Sequence, residues 1–118
     1  MSFKLEICAN SVQSVINAEI AGADRVELCD NLWEGGTTPS AASVKLAKEK
    51  TSIEVFILVR PRGGDFVYSD IEFEVIKEDI RMAKELGADG IVSGVLLEDG
   101  SVDIKRTKAL VELSKPLP

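Results

Sequence analysis

The chain contains no histidine. That removes the commonest general base near neutral pH and the commonest imidazole metal ligand. It has only two cysteines, too few for a disulfide framework. Basic residues are in deficit, 14 against 20 acidic ones, and the net charge of −6 argues against a nucleic-acid or anionic-membrane surface. No apolar run approaches the roughly 20 residues of a membrane-spanning helix. No Walker-type glycine-lysine loop is present, which argues against a nucleotide hydrolase. Met1-Ser2-Phe3-Lys4 leads straight into a strand-like run, so no signal peptide is expected. Unpaired cysteines without a secretion signal point to a reducing cytoplasm.

What is present is regular. Apolar residues make up 45% of the 118, enough for a core, and the length suggests one domain over residues 1–118 or part of a larger one. Strands are expected at Lys4 to Ala9, Arg25 to Cys29, Glu54 to Val59 and Gly90 to Leu96. Between and after them run amphipathic stretches. The first opens at Asn10 with Gln13 three residues on, and Gly22 closes it. The second opens at Thr38-Pro39, a cap followed by proline, and runs to about Lys50. The third, Ile71 to Leu86, opens with a Ser69/Glu72 capping box and carries Phe73, Ile76, Ile80 and Ala83 as its stripe. The fourth runs from Asp103 to about Leu113. Strand and helix alternate four times, which predicts parallel strands joined by helical crossovers. Gly22-Ala23-Asp24 and Gly87-Ala88-Asp89 echo each other, each linking a helix to the next strand.

Strand parity selects among parallel folds. Side chains alternate across a strand. Glu6 and Cys8 share one face of the first strand. Arg25, Glu27 and Cys29 share one face of the second, and Arg60 aligns with Leu58 and Phe56 in the third. A doubly wound sheet is covered on both faces and reads as continuous apolar runs. One face bearing charge fits a barrel interior better, and in such barrels the site lies at the C-terminal strand ends.

Two constellations follow. Cys8 and Cys29 end neighbouring parallel strands on one face, so their sulfurs are expected to meet. Two thiolates without histidine favour a soft ion such as Cu(I); the plainer reading is a pair of small buried hydrophobes. Glu6, Glu27 and Arg60 are expected to converge if the barrel closes. They form an acid/base pair with its partner cation, an anion site, or an interior ion-pair network. The strand-to-helix loop Arg60 to Asp70 adds Arg62, Gly63, Gly64 and Asp65 as candidates for binding a small anionic ligand. Trp33 and Phe66 sit in mouth loops and are expected to pack there.

Glu6-Ile7-Cys8, Arg25-Val26-Glu27-Leu28-Cys29, Glu34-Gly35-Gly36-Thr37-Thr38-Pro39-Ser40 and Arg60-Pro61-Arg62-Gly63-Gly64-Asp65-Phe66 resemble the CutC family, named for copper homeostasis. The resemblance covers essentially the whole chain. It implies a cytoplasmic (β/α)₈ TIM barrel linked to copper handling, with copper as the cofactor to look for. A complete barrel needs eight units and about 250 residues. Four are found here, so the resemblance implies an N-terminal half-barrel that stops before strand five. It also implies that the His-Arg-containing strand of the next segment lies beyond this chain. The alternative function is a barrel enzyme acting on a small anionic substrate. A half-barrel has two open edges, and a homodimer or higher homo-oligomer is the expected way to cover them.

Overall fold

The computed structural model describes residues 2–118. Four parallel strands, β1 (Glu6–Ala9), β2 (Arg25–Leu28), β3 (Glu54–Leu58) and β4 (Gly90–Val92), lie side by side in sequence order. Four helices, α1 (Val12–Ile20), α2 (Ala41–Lys50), α3 (Asp70–Glu85) and α4 (Ile104–Ser114), alternate with them, and consecutive helices pack on one another. Sequential strand order with one layer of helices is the arrangement of a barrel segment, not of a doubly wound sheet. The core lies between sheet and helices: Val26, Leu28, Val55 and Ile57 from the strands meet Val15, Val44, Ile76 and Ile80 from the helices.

Local chemistry sets the boundaries. Ser69 and Glu72 make both halves of the expected capping box at the head of α3. Two caps fall elsewhere than expected. Ser11, not Asn10, accepts from Ser14 N at α1, and Gln13 instead donates to Asn17. Ser40, not Thr38, accepts from Ser43 N at α2. Thr38 is drawn to the chain just past the end of β3, where its hydroxyl accepts from Arg60 N at 2.9 Å and donates to Arg60 O at 3.1 Å. β2, β3 and β4 end before the runs that signalled them, where the chain turns into the loops, and β1 begins later, at Glu6 instead of Lys4.

The Gly-Ala-Asp echo is a structural repeat. Gly22 and Gly87 both take positive φ, 87° and 92°. Ala23 N and Ala88 N donate back to Ala18 O and Ala83 O. Asp24 and Asp89 then each accept, at 2.7 Å, the backbone N–H at the start of the neighbouring strand, Leu5 and Val55 respectively. Each aspartate thus satisfies an N–H that the ladder leaves unpaired.

Candidate functional site

Strand register puts the inner-face residues in rows. Glu6 pairs with Arg25, which pairs with Glu54. Cys8, Glu27, Phe56 and Gly90 form the next row. Cys29 and Leu58 lie above these, and Arg60 above them again.

This order corrects the expectation that Glu6, Glu27 and Arg60 converge. Glu6 sits at the N-terminal end of its strand and is ion-paired to Arg25. Arg60 stands at the opposite end of the sheet. Glu27 lies between, its carboxyl pushed above the usual range first by burial and then by the charge of Glu6. Parity placed all three on one face correctly. It carries no information about depth along the strand, and depth separates them.

Arg60 is 6% exposed. Its Nη1 donates to Glu34 O and Gly36 O at 2.6 and 2.8 Å, and its Nη2 donates to Gly64 O at 2.8 Å. Its guanidinium also stacks 4.7 Å from the Phe66 ring. The side chain thereby ties the β2–α2 loop to the β3–α3 loop. Arg62 is equally committed. It pairs with Glu72 through Nε at 2.7 Å and with Asp65 at 3.1 Å, and it donates to the carbonyls of Gly63 and Val67. Gly63 packs its backbone on the Glu34 side chain, and Gly64 takes φ 84° beside Arg62. Arg62, Gly63, Gly64 and Asp65, the consecutive loop residues expected to bind an anion, stand beside Arg60, but the forks of Arg60 and Arg62 are both turned onto the protein itself.

The Arg62 contact gives a pH prediction. Arg62 first, and then the Ser69 N–H, hold the Glu72 carboxyl below its ordinary value of 4.5. A carboxyl lowered in the folded state contributes stability that is fully present above the unfolded value and lost as pH falls through the folded one. Thermal stability should drop more steeply below about pH 4.5 in the wild type than in Glu72→Gln. Parallel acid limbs in the two proteins would contradict this.

The cysteines do meet. Cys8 Sγ lies 3.5 Å from Cys29 Sγ. Cys8 is exposed and Cys29 is buried. Burial, with Cys8 alongside, pushes the Cys29 thiol up to about 12. Cys29 is roofed by a residue that the strand pattern did not single out, Gly36, at φ 96°. A Cβ on Gly36 would stand 2.8 Å from Leu58 Cδ2 and 3.8 Å from Cys29 Sγ. Only glycine lets the loop descend this far. Because Gly36 O accepts from Arg60, the buried arginine holds this roof in place. The signal that could have found it is the Gly35-Gly36 pair followed by Thr38, which the loop strap to β3 requires.

Among the described residues no three acidic or cysteine side chains gather as a metal cage. The thiol pair therefore lacks the four ligands of a structural zinc site. It also suits a disulfide poorly. Cys8 is paired in register with Glu27, two residues before Cys29. Two residues of rise and one strand spacing separate the Cα atoms by about 8 Å. A disulfide tolerates no more than about 7 Å without backbone movement.

Fold and site together define a segment of a (β/α) barrel with a thiol pair on its inner face. Residues 3–118 match the model of the CutC family. The chain is 53% identical over 116 residues to a human protein named copper homeostasis protein cutC homolog, covering 98% of this chain and 42% of that protein. It is 50% identical over 113 residues to the family protein CutC of Chromobacterium violaceum, covering 96% of this chain and 46% of the relative. The solved structure of a CutC copper homeostasis protein from Streptococcus agalactiae superposes with a TM-score of 0.91 at 38% identity, over 99% of this chain and 57% of the other. A phosphonomutase-named structure from Burkholderia cenocepacia, at TM-score 0.64 and 17% identity, shares the fold alone. The chain belongs to the CutC family, and it spans somewhat under half the length of these sequence relatives. No helix among the described residues is long and apolar enough to cross a membrane.

Proposed function

We propose that this chain handles copper in the reducing cytoplasm, taking one Cu(I) ion as cargo between Cys8 and Cys29. The observation that carries this reading is the 3.5 Å approach of the two sulfurs on the inner face. Thiolates select soft ions, and two of them alone suit Cu(I) better than zinc, which asks for four ligands. The names of the relatives point the same way. Cys8 is open to an incoming ion, while Cys29 sits under Gly36 where water is excluded. On binding, the thiol protons leave and the contact between the sulfurs is replaced by two sulfur–copper bonds.

The test is an anaerobic titration of the reduced protein with Cu(I) against a competing chromogenic chelator. Absorption-edge spectroscopy then identifies the ligands. One ion per chain, bound by sulfur, is expected. Cys8→Ser and Cys29→Ser should each lower affinity by at least about a hundredfold, since one thiolate of two is lost. Unchanged affinity in both variants would remove the proposal.

A further inference from the structure

We infer that Arg60 and Thr38 latch a lid over Cys29, and that this latch sets how fast the buried thiol is reached and how long an ion bound there is held. Arg60 acts as a positioning residue: it bonds Gly36, and Gly36 covers the sulfur. The lid is the loop between β2 and α2. Its outgoing limb leaves Cys29 through Asp30, and its return limb runs from Glu34 to Thr38. Asp30 and Thr37 join the two limbs by backbone hydrogen bonds of 2.9 and 2.8 Å. At the tip Trp33 is fully exposed and Leu32 is 44% exposed, so packing does little to hold the tip down.

Among the described residues, the hydrogen bonds that tie the return limb to β3 and its loop all end on Arg60. Arg60 Nη1 donates to the carbonyls of Glu34 and Gly36. Thr38 N donates to Arg60 O at 2.9 Å, and the Thr38 hydroxyl bonds both Arg60 N and Arg60 O. The Glu34 side chain adds only its contact with Gly63. Three residues of the loop, Asn31, Gly35 and Gly36, take positive φ, at 52°, 82° and 96°. For asparagine that conformation persists only where the surroundings hold it. A loop with an exposed tip, left-handed bends and its attachments gathered on one residue opens as a unit when those attachments break. What it uncovers is Cys29, which is 2% exposed. All these groups belong to the second and third strand–helix units, so the latch is the same whatever adjoins β1 or β4.

Access to Cys29 then follows lid opening. For an ion held between Cys8 and Cys29 the same opening serves entry and exit. Loosening the latch speeds both and leaves the affinity nearly unchanged, because the ratio of the two rates stays the same. The lid stands on geometry alone, while its effect on a bound ion rests on the copper reading.

The test is labelling by iodoacetamide at fixed pH and low urea, in a Cys8→Ser background where Cys29 is the remaining thiol. Local opening exposes little surface, so its rate is nearly independent of urea, whereas labelling through global unfolding rises steeply. With the latch intact, Cys29 should react at least about a hundredfold slower than in the unfolded chain, with a flat urea dependence. Thr38→Val and Arg60→Lys should each raise the flat rate at least about tenfold, the change expected from losing one or two of the latch bonds. Thr38→Ser keeps the hydroxyl and should return the rate to its original value. Ile80→Val, a core change away from the loop, should shift the steep part alone. With both cysteines present and Cu(I) loaded, loss of the ion to excess chelator should quicken by a similar factor in Thr38→Val and Arg60→Lys. Labelling unmoved by both substitutions overturns the proposal, and so does a rise confined to the steep part. If labelling follows the latch and no copper binds, the copper reading fails and the lid stands. If copper binds and labelling ignores the latch, the lid fails and the copper reading stands. Thr38→Val decides alone should Arg60→Lys fail to fold.

Discussion

Arg60→Lys should unfold about 10 °C below the wild type. The side chain is buried, and its fork serves three backbone carbonyls, those of Glu34, Gly36 and Gly64. Hydrogen bonds to a charged donor contribute about 1.5–3 kcal/mol each, and a buried carbonyl left without a donor carries a further penalty. A lysine ammonium keeps the charge but not the planar geometry, and it reaches one or two of the three. A net loss of about 3 kcal/mol follows, a large share of the 5–15 kcal/mol that holds a domain of this kind together. At about 4 °C per kcal/mol the melting temperature falls accordingly. Added phosphate separates this from a ligand role. If Arg60 gripped an anion bidentately, phosphate would raise the wild-type melting temperature and leave the variant unmoved. With the fork turned onto carbonyls, both proteins should respond alike. A variant as stable as the wild type would show that the loop strap contributes nothing.

The same residue shows where sequence reading stops. Two-residue alternation placed Arg60 on the inner face with Leu58 and Phe56. The long strand-to-helix loop, the Ser69/Glu72 box and the Gly-Ala-Asp echo were all legible, because each depends on near neighbours. So was the shared face of Cys8 and Cys29 on neighbouring strands, which parity and strand order give; that their sulfurs reach 3.5 Å also depends on the register. The partners of Arg60 were not legible. Two of the three lie on another loop, and all are carbonyls, which every residue carries. The separation of Glu6 from Arg60 was hidden for a related reason. Both sit on the correct face, but the register between strands decides their height, and register is set by the whole sheet. Thr38 shows competition between local and tertiary demands: a good helix cap by composition, it bonds Arg60 just past β3 and leaves the cap to Ser40.

Gly90→Ala should destabilise the chain by about 1–3 kcal/mol, the usual cost of forcing extra atoms into a filled space. A Cβ built on Gly90 would stand 2.5–2.6 Å from three atoms of the Phe56 ring. The ring lies across β4 because Gly90 offers no side chain, and the Arg25 guanidinium stacks on it at 4.2 Å while also pairing with Glu6. Glu6, Arg25, Phe56 and Gly90 thus form one connected floor across the inner face, at and just below the row of Cys8 and Glu27. An alanine methyl must either push the ring off the strand, breaking the stack, or push β4 away from β3. Shortening the ring residue should relieve it. In a Phe56→Leu background the added methyl finds room, so the cost of Gly90→Ala should shrink by at least about 1 kcal/mol. A double-mutant cycle by urea unfolding measures that coupling. Additive losses in the double variant would mean that ring and glycine do not share the space, and that the floor is held by the Arg25–Glu6 pair alone.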